Sequence, residues 1–570
     1  MRLKILHLAV PAILLIAFCG NAAPQAARTG PALATPVKEA DARCTRCHQD
    51  IVNSYLMTPM ANASGIASDR MIPGTYHDPT SSVDYRFFSL NGAEWMSYTR
   101  PPAPAGAASP PALDGKYKLE YFLGSGHLGL TYLYEINGYW FETPAAYYAN
   151  LNGYDMKPGA EHMAQMPSGL RMNSGCMRCH MSDVPREDAG SGNHYQGLPF
   201  LHGGITCESC HGDATRHVDT GGKAGVINPM KLDAERRDSI CINCHLEGDT
   251  NVEHRGRYAV DFKPGDRISD YLAFYQYVSA DATTRGVSEI EQLNQSMCKR
   301  TSGDRMSCMS CHDPHLTPTA RDRVAFYRRK CLQCHGQGSF AETHHTENPD
   351  CTSCHMPKTG ASNIAHVAWT DHRLLQRPNQ PKLESGAAAA KDLVPILKGD
   401  GTPRDLALAY YNLVTNGQNS EGQRALDLLS AAAKTDPADP NLSMALGVLL
   451  QAKKDRTGAA DAYTRVLKAD PENFTAAVNL GTLTAQSGDL ITAARLWQKA
   501  FAHNEDNVPL GMNLAIVDCL NGQKEDAEAV LTRLLTYSPD DQRARQKLVA
   551  IASGAQACVP PGKPALTTPQ

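Results

Sequence analysis

The chain has 570 residues, with 55 Lys and Arg against 59 Asp and Glu, and a formal net charge of −4. That balance excludes the strongly basic footprint of a nucleic-acid-binding protein. Hydrophobic residues at 42%, with 45 Gly and 36 Pro, indicate a soluble globular protein rather than a collagen-like or wholly disordered chain. The informative number is the 18 Cys, because so many thiols would be a redox hazard in an intracellular chain.

Residues 1–23 have the three-part layout of a secretory signal peptide: a basic start, an apolar run over 5–18 and then small residues. Phe18 stands where lipoprotein processing at Cys19 requires a small residue, so we expect simple cleavage near Ala23. No other stretch approaches the roughly 18 apolar residues of a membrane span. The mature chain is therefore predicted to be exported, to a bacterial periplasm, without a membrane span.

Fourteen of the 18 Cys fall in seven copies of Cys-x-x-Cys-His, which we number sites 1 to 7 in chain order. Chance would produce about 0.02 copies at this composition. Two cysteines three apart can form thioethers to both vinyl groups of one haem, and the next residue, His, is then placed to bind the iron. We therefore predict seven covalently bound c-type haems, at Cys44-Cys47-His48, Cys176-Cys179-His180, Cys207-Cys210-His211, Cys241-Cys244-His245, Cys308-Cys311-His312, Cys331-Cys334-His335 and Cys351-Cys354-His355.

Other uses of Cys-x-x-Cys fit this pattern poorly. Structural zinc needs two such pairs per ion and has no use for a His after every second Cys. A thioredoxin-like thiol pair would occur once, near a βαβ unit. A disulfide scaffold would not keep the strict spacing. Cys298, Cys519 and Cys558 belong to no motif, and the sequence leaves their pairing open.

Each iron also needs a ligand on its other face. Outside the motifs, the signal peptide and the repeats described below, twelve His remain for seven faces, so nothing in the count requires an open site. The preferred candidates lie close after a motif: His217, His315, His344, His345, His366 and His372.

His127 is a separate candidate, because it lies in a glycine-rich turn over 124–129. Glycines let a backbone approach a planar partner closely. No long helix follows, and Asn137-Gly138 predicts a type I′ hairpin turn, so the Gly-x-Gly-x-x-Gly match is not a nucleotide-binding motif. A hairpin that presents His127 toward a haem is our prediction, and a merely structural turn is the alternative.

Site 1 differs from the others, because about 130 residues separate it from site 2 and two Met follow it closely. We predict Met60, with Met57 as the other choice, as a sixth ligand that raises the potential of that haem. Gap-filling in the core is the more common fate of Met and is the alternative. If any haem is open and reactive, we expect it at site 1.

Residues 40–375 resemble the multihaem cytochromes c, a group that includes octahaem tetrathionate reductase, hydroxylamine oxidoreductase and pentahaem nitrite reductase. The phrases at 204–212, 307–315 and 351–358 carry the resemblance beyond the motifs themselves. It implies bis-His ligation, which is usual in low-potential carriers of this kind. All seven motifs end in His, and none ends in the Lys that is the proximal ligand at the active haem of the nitrite reductases.

After about Pro378 the composition becomes rich in Ala and Leu, and positions 34 residues apart match one another: Pro403, Pro437, Pro471, Glu505 and Pro539. That period is typical of tetratricopeptide repeats. Four units over 404–545 exceed the three or so needed to bury a stacked core. We expect their groove to dock a redox protein partner or a second copy of the chain; capping of the haem domain is the alternative.

These observations predict a mainly α protein: a signal peptide over 1–23, a heptahaem domain over 40–375 with a strand-rich insertion over 76–154, a linker over 376–403, an α-solenoid over 404–545 and a tail over 546–570. Fewer than 50 residues per haem implies haems in near contact. We predict electron transfer between redox partners, with a multihaem oxidoreductase acting on a small nitrogen or sulfur compound as the alternative. We also expect that deletion after Pro378 leaves the haem spectrum intact.

Overall fold

The computed structural model describes residues 34–102, 110–277, 286–337, 343–344, 347–360, 366–376, 392–399 and 401–558. From Ala34 onward the chain forms one unit. Within these ranges, no helix has both the length and the apolar character needed to cross a membrane. The predicted signal peptide and His345 lie outside the described residues.

Strands are concentrated between sites 1 and 2, where the alternation of polar and apolar residues predicts them. In chain order the strands are β1 Thr35–Pro36, β2 Ser64–Ile66, β3 Gly74–Asp78, β4 Val83–Leu90, β5 Ala93–Arg100, β6 Leu113–Leu119, β7 Tyr121–Leu123, β8 Gly129–Ile136, β9 Tyr139–Glu142, β10 Ala145–Tyr148, β11 Gly153–Met156, β12 Leu170–Arg171, β13 Met181–Ser182, β14 His202–Gly203, β15 Thr250–Glu253, β16 Leu272–Tyr277, β17 Lys358–Gly360, β18 Ala368–Thr370 and β19 Leu393–Pro395.

Strands β2 to β12 form the strand-rich insertion, over 64–171, which is wider than the expected 76–154. One sheet is the meander β3-β4-β5-β6, and the other runs β11-β10-β8-β7-β2, with β9 joining β8 to β12. Alternate residues of the strands turn inward and bury a core rich in tyrosine, including Tyr85 and Tyr132. The β8–β9 turn has positive φ at both Asn137 and Gly138, as the predicted type I′ turn requires.

The helices divide into short ones that carry the cysteine motifs and longer ones in the repeats. In chain order they are α1 Val37–Ala40, α2 Ala42–Tyr55, α3 Ser174–Met177, α4 Glu208–His211, α5 Thr215–Asp219, α6 Ala234–His245, α7 Glu289–Gln295, α8 Met297–Ser302, α9 Cys308–Cys311, α10 Arg323–His335, α11 Cys351–His355, α12 Pro403–Thr415, α13 Gly422–Thr435, α14 Pro440–Ala452, α15 Arg456–Ala469, α16 Phe474–Gln486, α17 Leu490–Phe501, α18 Val508–Leu520, α19 Lys524–Tyr537 and α20 Gln542–Ala552.

Helices α12 to α19 form four helical hairpins, and α20 follows the last. The small residues that recur every 34 positions sit where paired helices meet: an added Cβ at Gly447 would overlap the Tyr463 ring, and one at Gly481 would overlap Trp497. Helix α14 begins at an Asp439 cap and α16 at an Asn473 cap, each accepting from backbone N–H groups. The 34-residue period therefore marks both the close contacts and the turns.

Within the described residues, the repeats share a hydrophobic core with the rest of the chain at two places. Strand β19, inside the range expected to be a linker, pairs with β16, and this small sheet shares a core with α12 to α14. At the other place Tyr537 joins the core of the strand-rich insertion. Arg100 and Asp540, each 3% exposed, form an ion pair across this second contact. The repeats are therefore continuous with the haem-bearing part rather than tethered to it.

Candidate metal centres

Each cysteine motif lies in or at the edge of a helical turn, which brings its side chains to one face. Residues three apart in a helix are neighbours on the surface, so the two thiols of a motif point the same way. At site 1 the helix continues beyond the motif, and His48 leaves helical geometry with φ −117° and ψ 35°. Most motif cysteines are half-buried or exposed.

Thiols from different motifs lie close enough to influence one another's pKa. Such pairs link site 1 to site 3, site 2 to site 4, site 4 to site 5 and site 6 to site 7; the pairs are Cys44 with Cys207, Cys179 with Cys244, Cys241 with Cys308 and Cys331 with Cys351. The thiols of sites 5 and 6 act on one another electrostatically through Cys311 and Cys331. Cys210 of site 3 acts in the same way on Cys241 of site 4, so the seven motifs, which spread over more than 300 residues, form one cluster.

Four motif His face a second His at a uniform separation. The ring centroids of His48 and His217 are 6.3 Å apart, those of His211 and His315 6.0 Å, those of His312 and His372 6.3 Å, and those of His355 and His344 6.2 Å. The paired rings are within 30° of parallel. Two imidazoles on opposite faces of one metal, with bonds of about 2.0 Å, would have centroids about 6 Å apart.

Burial sets the protonation of several of these rings. Desolvation lowers the pKa of His312 to about 4 and also lowers that of His180, which keeps both imidazoles neutral. A neutral imidazole is the form that binds a metal. At site 4 the carboxylate of Glu289 lies 3.9 Å from Nδ1 of His245, and this contact raises the pKa of that His.

Three of the predicted sixth ligands lie elsewhere. Met60 packs with Val37 and Tyr55, and the ring facing His48 is His217, so the structure differs from the expectation of a Met ligand at site 1. The Nε2 of His366 lies 2.8 Å from Asp155, and the ring facing His355 is His344 rather than His366. His127 is exposed at the tip of the β7–β8 hairpin.

Some supporting residues carried no signal in the sequence. Both carboxylate oxygens of Asp41 accept the backbone N–H of Cys207 at 3.1 Å, which ties site 1 to site 3. Glu289 precedes motif 5 by about 20 residues yet faces His245 of site 4. Both are long-range contacts of acidic side chains with a motif that is distant in sequence, so motif spacing could not reveal them.

The chain around the motifs fits a large apolar group. Helix α10 has thirteen residues, among them Phe326 and Leu332, and buries none; α4, α5, α8 and α9 bury none either. Large apolar side chains near motifs are left exposed, including Met57, Leu201 and Met297. Short helices that bury no side chain against the protein need another apolar group to pack against if they are to be stable. Haems attached at the adjacent cysteines would supply it.

Known proteins match two parts of the chain. The family model for "Cytochrome c554 and c-prime" matches residues 140–212, and a model for the tetratricopeptide repeat matches 484–551. The multiheme cytochrome MtrA of Shewanella baltica (strain OS185) is 26% identical over 213 residues, which cover 35% of this chain and 56% of that protein. The match therefore spans about half the length of this curated relative.

Among solved structures, MamA from Desulfovibrio magneticus RS-1 is 18% identical with a TM-score of 0.24, covering 27% of this chain and 86% of MamA. YrrB, described as a tetratricopeptide repeat protein with an unusual peptide-binding site, is 20% identical with a TM-score of 0.24, covering 26% and 77%. Pseudomonas aeruginosa pilF is 18% identical with a TM-score of 0.24, covering 26% and 68%. These scores are too low to support a functional conclusion.

The motifs, the clustered thiols and the family matches define a c-type cytochrome with several covalently bound haems. The chain is, more particularly, a multihaem cytochrome c that carries tetratricopeptide repeats after its haem-binding part.

Proposed function

We propose that the chain binds seven haems and transfers electrons between redox partners. The single observation that carries this proposal is the set of four imidazole pairs with centroids 6.0–6.3 Å apart. The sets are His48 with His217 at site 1, His211 with His315 at site 3, His312 with His372 at site 5, and His355 with His344 at site 7. Two imidazoles on one iron fill both axial positions, which suits electron transfer rather than binding of a substrate.

The haems, when bound, supply one-electron redox centres whose potentials depend on axial ligands, burial and hydrogen bonding. The polypeptide would position the haems next to one another. The thiol pairs support an order in which site 3 is next to site 1, site 4 is next to sites 2 and 5, and sites 5, 6 and 7 follow in sequence. Because a cysteine of each motif lies near a cysteine of the next, their haems would be close enough for electrons to pass.

A second candidate function is reduction or oxidation of a small nitrogen or sulfur compound at an open haem. It is favoured by sites 2 and 4, because among the described residues neither His180 nor His245 faces a second imidazole at this spacing. The Glu289 carboxylate beside His245 would strengthen that ligand and lower the potential of the haem at site 4. Site 1, our expectation from the sequence, is the weaker choice, because His217 faces His48.

We further propose that the protein is exported and that the repeats contact other proteins. Export is supported by the predicted signal peptide and by the disulfide between Cys519 and Cys558, since disulfides persist in oxidising compartments. Protein contacts are the usual role of such repeats.

Electron paramagnetic resonance of the oxidised holoprotein tests the carrier proposal. We expect low-spin signals at the four paired sites and no change in them with cyanide. The variant H217A should convert one haem to a high-spin, cyanide-binding form, whereas H77A, at an exposed His bonded to Asp84, should change nothing. High-spin signals at the paired sites of the unaltered protein would contradict the proposed ligands. A ligand-binding haem at site 2 or site 4 alone would favour the second function.

A further inference from the structure

The Nδ1 atom of several rings in the imidazole pairs already contacts an acceptor, which leaves Nε2 of the same ring for a metal. We call a motif His, and any His that faces it, the axial His of that site. Three axial His lie beside a backbone carbonyl oxygen through Nδ1: His211 of site 3 beside Ile227 at 2.8 Å, His217 of site 1 beside Ala224 at 2.8 Å, and His372 of site 5 beside Thr370 at 2.9 Å. A carbonyl oxygen orients its ring but adds no net charge.

Two other axial His face a carboxylate instead. Nδ1 of His315, at site 3, lies 3.5 Å from Oδ1 of Asp313. Nδ1 of His245, at site 4, lies 3.9 Å from Oε1 of Glu289. In the described part of the chain, no carboxylate lies within 4.0 Å of an axial ring at site 1 or site 5. Glu289 acts on the rings of site 5 only at longer range.

These two carboxylates keep their charge. Within the described ranges neither Asp313 nor Glu289 has a Lys or Arg within 4.0 Å. An oxidised iron carries one more positive charge than a reduced iron, so a negative charge beside an axial ring stabilises the oxidised state and lowers the potential. Each haem also brings two propionates of its own. Because those charges are common to all the sites, they do not distinguish sites 3 and 4 from sites 1 and 5.

Sites 3 and 4 lie in the middle of the order that the thiols define. Site 3 is next to site 1 through Cys207 and Cys44, and site 4 is next to site 5 through Cys241 and Cys308. Cys210 of site 3 acts on Cys241 of site 4, which joins the two halves. An electron that passes between site 1 and site 5 along this order therefore crosses both of the sites that have a carboxylate.

We propose that Asp313 and Glu289 are positioning residues that make the haems at sites 3 and 4 a low-potential step between site 1 and site 5. This inference rests on the proposed electron-transfer function and goes beyond it, because it ranks four of the haems. In each transfer one ferrous iron becomes ferric and its neighbour becomes ferrous, with no bond made or broken. Electrons at site 1 or site 5 are held there, since the move to site 3 or site 4 is uphill. The step divides the reduced haems into two pools.

Potentiometric titration of the holoprotein, followed by electron paramagnetic resonance, measures each potential without a physiological partner. The variants H217A and H372A each remove one low-spin signal and so assign sites 1 and 5. In the unaltered protein we expect these two haems to be reduced at higher potentials than those of sites 3 and 4. D313N and E289Q should each raise the equilibrium constant for reduction of one further haem about tenfold, which is about 59 mV for one electron. In E289Q the signal of site 5 should move less.

D213N and E235Q are the matched controls. Asp213 follows His211 of site 3 by two residues, and Glu235 lies in α6, the helix that carries His245 of site 4. Both carboxylates are exposed, and neither lies within 4.0 Å of an axial ring. Because exposed charges are screened by salt, each control should change the same equilibrium constants by less than about twofold.

Reduction of sites 3 and 4 before sites 1 and 5, or equal shifts in the test and control variants, would overturn the proposal. The side-chain oxygen in D313N can still accept the backbone N–H of His315, as Asp313 does at 3.0 Å, so we expect full haem content. Loss of haem from a test variant would show that the carboxylate maintains the fold rather than the potential, which would also overturn it. Failure of the proposed function is a separate outcome: the unaltered protein would hold its haems but accept no electrons even from dithionite.

Discussion

Helix α10, which leads into site 6, and helix α12, which opens the repeats, are each thirteen residues long but bury very different amounts. Helix α12 buries six side chains, including Tyr410 and Leu413, whereas α10 buries none. Helices in water owe most of their stability to packing rather than to intrinsic propensity. The repeats therefore stabilise themselves, while the motif helices depend on what their cysteines attach. Haems attached at these cysteines would therefore also form the core of the motif-bearing part.

The largest difference between the motif helices and the repeats is expected when the protein is made without haem. In cells that lack the c-type attachment machinery, we expect residues 297–337 to lose amide protection, while 403–552 keeps protected helices, because α8, α9 and α10 bury no side chain whereas the repeats have a protein core. Hydrogen exchange followed by mass spectrometry measures both regions in one sample. Equal protection of the two regions in the haem-free protein would contradict the comparison.

The sequence was informative where a pattern is local. The cysteine motifs and the 34-residue period each identify their region, and His217 stands out because it follows motif 3 closely. Which motif His it faces could not be predicted, because His217 and His48 are 169 positions apart and meet only through the folding of the whole chain. The same holds for His315, which faces His211 rather than the His of its own motif. Met60 illustrates the same limit, because proximity in sequence does not fix a side chain's direction, and the ring that faces His48 is His217.

The contacts between the repeats and the rest were also beyond the sequence, since Arg100 and Asp540 are 440 positions apart. These two buried side chains form a charged contact where the strand-rich insertion meets the repeats. The shared cores at β16 and at Tyr537 lead us to expect that deletion of the repeats lowers haem incorporation, contrary to the expectation from the sequence.

Removal of one partner of the buried ion pair should strongly destabilise the contact between the repeats and the strand-rich insertion. For R100A we expect a loss of about 3–5 kcal/mol, because the buried carboxylate of Asp540 loses its ion-pair partner and keeps only the hydrogen bond from the Met166 N–H. Protection of α19 and α20 measured by hydrogen exchange reports this loss. The variant R86A, at an exposed Arg on the neighbouring strand, should change stability by less than about 0.5 kcal/mol. A similar effect of the two variants would show that the ion pair does not hold the interface.

The disulfide between Cys519 and Cys558 encloses α19, α20 and the loop between them, a segment that carries Tyr537 and Asp540 at the contact with the insertion. We expect the variant C519S/C558S to lose about 2–4 kcal/mol of stability in this last part of the repeats. Limited proteolysis should then cut α20 first, and C298S, at a Cys outside any disulfide, should behave like the unaltered protein. Unchanged proteolysis of the double variant would show that the disulfide does not stabilise this part of the repeats.

The smallest effect is expected at Asp518, which is 1% exposed in α18. Burial raises its pKa to about 6, so the folded state disfavours the ionised form. Its destabilising effect is absent near pH 4 and grows as pH rises to about 6, beyond which it is constant. We expect D518N to gain about 1–3 kcal/mol at pH 8 and nothing at pH 4. The exposed D526N, which removes only a neighbouring charge, should gain less; a gain independent of pH would contradict the assignment.

Intact-mass spectrometry of the purified, matured protein tests the central claim most directly. We predict the mass of the processed chain plus seven haems, with all fourteen motif cysteines lost to thiol reagents and Cys298 still reactive. A mass with fewer haems after maturation in a competent host, or the mass of the bare chain, would contradict the account.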